Sequence, residues 1–416
     1  MFIAANSLIY FVLFISLFFE VFLLITYIEN RAKIKKEGAG EIKLNKYPSV
    51  TIIVPCFNEE KTITKTVFSL LDLDYPKDKL KIIVVDDGSK DDSFKVIKKL
   101  EKYNQVKVFH KENGGKHTAV NFALDKIKTD LVGCLDADSF VDKDTLKRIA
   151  LSFENPQIMA VTPSIKVYKP QNIIQKIQRV EYNWGIFLRK MLSFLDALYV
   201  TPGPFSIFRR KVFDDLGYYK KAYNTEDLEM ALRMQSKHYK IGNSYKAFVY
   251  TVTPNTVRAL YKQRLRWTYG FMKNVIDYKH LLLKKEYGNL GFFILPVATL
   301  SIFSALYFAG TFLISVISNL INYIIKVETI GINWGFDNLF KFDWFYMKTG
   351  SAFLLSLVLF VISVSLVILS RKLAEGKIKI LSMELAYFLV IYPMIVPLWL
   401  AKSVFNTIFS ISTTWR

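Results

Sequence analysis

Cysteine and histidine are scarce in this chain: two cysteines and four histidines among 416 residues. Neither Cys56 nor Cys134 has a Cys or His neighbour at ligand spacing, so a zinc site is excluded. Each cysteine falls in an expected strand of one domain, and two buried thiols are expected rather than a disulfide. Acidic residues are also in the minority, 36 against 56 basic, for a net charge of +20. Such an excess invites nucleic acid. Here the basic residues are scattered, flank apolar segments and accompany no binding motif, so nucleic acid is excluded. Anionic lipid headgroups and a nucleotide diphosphate are the expected partners. Internal repeats and low-complexity tracts are absent. Apolar sequence is plentiful, with 52% hydrophobic residues and a mean hydropathy of +0.23. That is too apolar for a plain soluble protein and too polar for a pure membrane bundle, so a mixed architecture is expected.

Ala4 to Ile28 is nearly unbroken apolar sequence, long enough to span a bilayer. No basic residue precedes it and no small-residue cleavage site follows, which disfavours a signal peptide. Arg31, Lys33, Lys35 and Lys36 follow at once, placing the C-terminal side of this span in the cytoplasm. Glu20, inside the span, is expected to face another helix. Three further apolar blocks, Leu290–Ile325, Thr349–Ser370 and Leu381–Leu400, make four spans, with the first block counted as one crossing. Arg371, Lys372, Lys377 and Lys379 then lie in the cytoplasm and both termini outside.

Between these spans, Ser49–Cys56, Lys81–Asp86, Val106–His110 and Leu131–Leu135 read as short strands. Helices are expected at Lys61–Leu71, Ser93–Tyr103 and Lys116–Lys126. This alternation predicts βαβ units and a parallel sheet covered on both faces. Asn172–Leu195 has apolar residues at helical spacing and is expected to pack on the sheet. Val257 to about Leu283 is basic and amphipathic and reads as an interfacial helix. The expected organisation is a membrane helix over 1–30, a basic linker over 31–48 and a cytosolic α/β domain over 49–256. An interfacial helix over 257–288 and a membrane bundle over 289–416 follow.

Chemistry-bearing residues gather at the expected strand ends, where ligands of doubly wound sheets bind. Pro55, Phe57, Asn58 and Glu59 close the first strand, and Asp86-Asp87-Gly88-Ser89 the second. Acidic groups there can accept hydrogen bonds from a uracil imide or from ribose hydroxyls; the plainer account is a turn with an N-cap. Lys111-Glu112-Asn113-Gly114-Gly115-Lys116 brings two glycines and a lysine to a helix start, suited to an anion. Its spacing is wrong for a Walker loop; the plainer account is a glycine turn with a solvated lysine. Asp136 and Asp138, two residues apart past a buried strand, offer hard oxygen donors on one side. Thr225-Glu226-Asp227 opens a helix, where Thr225 as N-cap is the plainer account and Asp227 as general base the functional one. Thr201-Pro202-Gly203-Pro204-Phe205-Ser206 reads as a tight turn. Gln263, Arg266 and Trp267 fall at i, i+3 and i+4 on one helix face; the plainer account is an anchor with Trp at the headgroups.

In this order and on a membrane-anchored chain, these motifs resemble family 2 glycosyltransferases of the membrane polysaccharide synthase type, which include cellulose, hyaluronan and poly-N-acetylglucosamine synthases. The resemblance runs from Ser49 to about Phe271. It implies an α/β GT-A (Rossmann-like) domain joined to about four transmembrane helices, at the plasma membrane with the catalytic domain in the cytoplasm. It implies inverting transfer from a UDP-sugar to a growing β-linked polysaccharide, or a single transfer to a lipid or a lipid-linked oligosaccharide. Asp227 is then the base. Pro55, Phe57, Asn58, Glu59, Asp86, Asp87, Lys116, Asp136, Gln263 and Arg266 would bind the nucleotide sugar. Gly203, Pro204, Glu226 and Trp267 would meet the acceptor, and Asp136 with Asp138 would hold Mg²⁺ or Mn²⁺. The wording of residues 201–206 departs from the commoner family motif, which leaves the acceptor open.

Overall fold

A computed structural model describes residues 2–39, 42–330, 350–376 and 382–412. Lys377 and Lys379, part of the orientation argument, lie outside the described residues.

Strands β1 (Val50–Cys56), β2 (Leu80–Asp87), β3 (Val106–Lys111) and β4 (Leu131–Cys134) form the parallel half of an eight-stranded sheet. Side chains alternate across it. Val50, Ile52 and Val54 of β1 face one core with α2 (Ile63–Leu71), α3 (Ser93–Lys98) and α5 (Thr145–Ser152). Ile53 faces the other, with α4 (Lys116–Leu124), α7 (Arg210–Leu216) and α8 (Glu226–Ser236). Burial on both faces explains why β1 and β2 read as continuous Val/Ile runs rather than as alternating ones.

The sheet is mixed, which corrects the expectation of a parallel one. Its order is β3-β2-β1-β4-β7-β6-β8-β5, completed by β5 (Ser139–Val141), β6 (Ile158–Val167), β7 (Ile207–Arg209) and β8 (Lys240–Thr251). β7 runs antiparallel to both β4 and β6, and β5 antiparallel to β8. Strands as short as β5 and β7, three residues each, carry no periodic signal. The chain winds outward from β1 to β3, then returns to place β4 on the other side of β1. That reversal opens a crevice at the carboxyl ends of β1 and β4, the position where such sheets bind ligands.

Among the described residues, four helices are long and apolar enough to cross a membrane. They belong to α1 (Phe2–Ala39), α10 (Leu295–Ile330), α11 (Ser351–Glu375) and α12 (Met383–Ile408). The stretch expected as a basic linker is helical as far as Ala39. Its end is tied to the domain by Lys190 with Glu37 and by the Tyr245 hydroxyl donating to the Ile34 carbonyl, 2.8 Å. Glu20 faces α11, where the Ser363 hydroxyl donates to it, as expected. A π-turn at Leu290–Ile294 leads into α10, which then runs as one continuous helix. The long helix α6 (Ile173–Phe194) does more than pack on the sheet. It touches β6 and β8 on one side and α1, α11 and α12 on the other, so it joins domain to bundle. Arg179, Asn183, Arg371, Glu375 and Glu384 form a charge-balanced cluster along that seam. Helix α9 (Val257–Asp277) packs on α8 and α12.

Candidate active site

Loops leaving β1 and β2 are laced together beside the crevice. Asn58, in the left-handed region at φ 56°, receives the Lys90 N–H at its Oδ1, and its own N–H donates to the Ser89 hydroxyl. The Glu59 N–H donates to the Ser93 hydroxyl, 2.8 Å. The paired aspartates after β2 have different partners. Asp87 accepts from the Gly114 and Gly115 N–H groups and from Lys111, so it shapes the glycine loop. Asp86 is fully buried and meets His110 at 2.7 Å, while its Oδ1 has no hydrogen-bond partner. Of the two, Asp86 is the one with a carboxylate oxygen lacking a protein partner, as contact with a nucleotide would require.

Asp136 and Asp138 lie past the end of β4 in a turn, not on the strand. Asp136 pairs with Lys116 at 2.5 Å, and Lys116 also lies 3.7 Å from Glu226. Lys116 thus bridges two carboxylates. Asp138 accepts from the Ser139 hydroxyl at 3.1 Å. Burial, then the charges of Asp136 and Glu59, push its carboxyl up to about 7. A half-buried carboxylate so short of positive charge suits a hard divalent cation. Among the described residues, no three His, Cys, Asp or Glu side chains group as a metal site. Asp136 and Asp138 offer carboxylate oxygens of the hard kind that such an ion takes.

Asp227 stands opposite, half-buried at the first turn of α8. Its Oδ2 accepts from the Gly203 N–H at 3.2 Å and its Oδ1 from the Leu228 N–H at 2.9 Å. The Thr201 hydroxyl holds the Asp227 carbonyl at 2.7 Å. Burial, then Glu226, push the Asp227 carboxyl up to about 6, against the opposing pull of Lys116 and Arg266. A Cβ at Gly203 would stand 2.7 Å from the Lys116 ammonium, so a larger residue would displace that flexible cation. Pro204 lies in the same turn, beside Phe205, whose N–H donates to the Cys134 carbonyl.

Thr225 holds the N-cap position of α8, but its side chain does not cap the helix: the hydroxyl donates to the Ala222 carbonyl and accepts from Asn274 of α9. Before it, Ala222, Tyr223 and Asn224 all have positive φ, 41°, 58° and 61°. Such left-handed non-glycine residues cost of order 1–3 kcal/mol each and persist only where surroundings over-determine them. Here α9 does so, with Arg266 donating to the Asn224 carbonyl at 2.8 Å and Tyr223 bonded to Asp277. Arg266 also lies within electrostatic reach of Glu226, Asp227 and Asp136. Gln263 and Trp267 are joined to a different arginine. Arg264 donates to Gln263 and to Glu181 of α6, and its guanidinium stacks 4.3 Å over the Trp267 ring. The indole is 38% exposed.

A narrow cleft follows, lined by Lys116, Cys134, Thr201, Pro202, Gly203, Ser206, Tyr219, Glu226 and Asp227. Tyr219, Cys134, Thr201 and Ser206 were not singled out from sequence as site residues. Tyr219 is placed by Asn121, which bonds both its N–H and its carbonyl across 98 residues of chain. No local pattern announces that. Cys56 and Cys134 are buried free thiols, as expected.

Residues 51–217 match the family model Glycosyl transferase family 2. The poly-beta-1,6-N-acetyl-D-glucosamine synthase of Staphylococcus aureus is 29% identical over 268 residues, 64% of this chain and 65% of that protein. The synthase of the same name from Staphylococcus epidermidis is 31% identical over 224 residues, 53% of this chain and 54% of its own length. The chain thus spans somewhat less than two thirds of the curated relatives it matches. Among solved structures, a mannosyltransferase from Pyrobaculum calidifontis in complex with GDP-Man and Mn²⁺ superposes with a TM-score of 0.58. That likeness covers 96% of this chain and 99% of the other at 16% identity, which speaks to the fold alone. The resemblance carried by the motifs is met over residues 51–217 by the family model, and the sheet with flanking apolar helices shares its fold with a solved glycosyltransferase.

Proposed function

We propose that this protein is an inverting glycosyltransferase that moves a sugar from a UDP-sugar, N-acetylglucosamine being first choice, onto a β-linked polysaccharide at the plasma membrane, with its α/β domain in the cytoplasm. The observation that carries the reading is Asp227. It is a carboxylate oriented by two backbone N–H groups in a cleft, across from Lys116 and Asp136, with an affinity for protons raised toward neutrality. A general base works best with its pKa near the operating pH. Asp227 would take the proton from the acceptor hydroxyl as that oxygen attacks the anomeric carbon, in a single displacement.

The other residues then divide the work. Asp86, Asn58, Glu59, Pro55 and Phe57 would bound the nucleotide, while Asp87 shapes the glycine loop. Lys116, Arg266 and Gln263 would meet the diphosphate, and Asp136 with Asp138 would hold Mg²⁺ or Mn²⁺. A divalent cation there supplies charge neutralisation of the departing diphosphate. Lys116 has to leave Asp136 for this, and Glu226 keeps it within reach. Gly203, Pro204, Glu226 and Trp267 would line the acceptor side. The staphylococcal relatives, named as poly-beta-1,6-N-acetyl-D-glucosamine synthases, support the sugar and the polymer as product.

A second reading is transfer of one sugar to a lipid-linked acceptor. The contact of α6 with both the sheet and the membrane-crossing helices favours it, because an acceptor held in the bilayer would then lie beside the domain. One experiment tests both. Purified protein is incubated with Mn²⁺ and labelled UDP-sugars, and product length is read. Long chains support the polymerase, a single addition to lipid supports the second reading, and no turnover with any nucleotide sugar defeats both.

A further inference from the structure

Arg189 is the feature the proposed function does not use. It sits on α6, the helix between sheet and bundle, and among the described residues it makes no hydrogen bond and no ion pair. Its Nε is buried without a partner. Other cations near the site are engaged: Lys116 by Asp136, Arg264 by Glu181, Arg266 by the Asn224 carbonyl. A guanidinium nitrogen held out of water without an acceptor, on an otherwise half-buried side chain, forfeits solvation that nothing in the protein returns.

Its surroundings say what could return it. Tyr182, Gly185 and Arg189 fall at i, i+3 and i+7, along one face of α6. The guanidinium folds back over Gly185, where a Cβ would stand only 3.3 Å from its Nη1. That brings it toward Tyr182, one turn before. Tyr182 and Tyr199 both lie within electrostatic reach of Arg189, and burial pushes both phenols up. Neither hydroxyl has a hydrogen-bond partner among the described residues. Three donor groups therefore share one region, and among the described residues no carboxylate answers the guanidinium.

The position is equally specific. Tyr182 also senses Asp138, Glu181 and Arg264, which puts the cluster on the catalytic side of the domain. The Tyr199 ring lies 5.9 Å from that of Phe271 on α9. The same helix α6 packs against the membrane-crossing helices α1, α11 and α12. The cluster stands where the cleft meets the bundle.

We propose that Arg189, Tyr182 and Tyr199 form a binding site for a phosphate ester carried by a lipid, at the junction of the catalytic cleft and the membrane bundle. A planar fork with two phenol donors fits an anion of several oxygens, and a phosphate at the base of an acyl or isoprenyl chain lies at headgroup depth. Two sources share this chemistry: a bilayer phospholipid, or an isoprenyl monophosphate acting as acceptor or primer. The inference extends the acceptor side of the proposed function and rests on that reading.

The test uses the full chain in a phosphorus-free detergent. Thermal stabilisation and bound phosphorus per protein are measured during titration with phosphatidylglycerol, with a long-chain isoprenyl monophosphate, with diacylglycerol and with a neutral N-acetylglucosamine oligosaccharide. At least one phosphate lipid is expected to bind and stabilise the parent protein, and Arg189→Gln to bind it about tenfold more weakly or worse. Arg189→Lys is expected to recover part of the effect, which guards against a folding defect. Equal response to phosphatidylglycerol marks a headgroup site; response to the isoprenyl phosphate alone, with its glycosylation, marks an acceptor site. Binding unchanged in Arg189→Gln overturns the proposal, as does stabilisation by the oligosaccharide or diacylglycerol alone. Stabilisation by UDP is read in parallel. Absent UDP-sugar turnover in the parent protein counts against the proposed function and leaves the lipid titration standing.

Discussion

Replacing Asp227 by asparagine has two consequences of opposite sign, and pH separates them. Burial and Glu226 raise the carboxyl from 3.8 to about 6. A base with that pKa is about half ionised at pH 6 and about one-tenth ionised at pH 5, so kcat/KM should fall about tenfold from its plateau by pH 5. Asparagine cannot accept the proton, and activity should drop by at least ~10²-fold at every pH, with UDP binding nearly intact. Stability moves the other way. A carboxyl whose folded pKa lies above its unfolded value contributes stability that is full below pH ~4 and lost as pH rises through about 6. The rise from 3.8 to about 6 corresponds to about 3 kcal/mol in total, of which about 1.4 kcal/mol falls between pH 5 and pH 8. The Asp227→Asn variant carries no such dependence. Its amide also faces two N–H donors, from Gly203 and Leu228, at a cost that does not vary with pH. The assay is therefore the difference in unfolding free energy, parent minus mutant, at pH 5 and pH 8, beside kcat/KM at saturating Mn²⁺. The difference should shrink by about 1.4 kcal/mol as pH rises from about 5 to about 8. A flat difference, or a rate profile with no limb near pH 6, would refute the assignment of Asp227 as a raised, buried base.

Asp138→Ala should abolish Mn²⁺ binding read by electron paramagnetic resonance and weaken UDP-sugar binding, and EDTA should reproduce the loss of activity in the parent protein. Activity that persists in EDTA removes the metal and leaves Lys116 and Arg266 as the leaving-group stabilisers. Trp267→Ala tests the half-exposed indole: as an acceptor platform it should cost severalfold in transfer while hydrolysis of UDP-sugar survives, since stacking contributes on the order of 1 kcal/mol. Equal loss of both activities with a lower melting temperature would make it a membrane anchor instead. Asn274→Ala removes the donor that holds Thr225 and the left-handed turn before it. It should destabilise by about 1–3 kcal/mol and lower kcat more than UDP affinity. Unchanged kcat would mean that the turn does not position Asp227.

Local sequence was enough for the parts of this protein whose physics is local. Bilayer-length apolar runs mark membrane helices by themselves, because length and hydropathy alone decide that partition. The Val/Ile runs of β1 and β2 name buried parallel strands, and the acidic and glycine motifs at their ends name the crevice, since strand ends and ligand sites coincide in such sheets. The tertiary structure decided what depends on partners distant in the chain. The three-residue strands β5 and β7 exist only through the neighbours that pair with them, which is why the sheet is mixed. Thr225 could have capped its own helix, but Asn274, 49 residues on, offered its hydroxyl a different bond. Lys116 and Asp136 form an ion pair that no spacing foretells. Arg189 reads in sequence as an ordinary helical arginine; only packing between sheet and bundle buries its Nε and supplies no acceptor in exchange. Side chains whose roles depend on burial and on charge across the fold stay silent in sequence, because solvation and Coulomb energy are properties of three-dimensional neighbours.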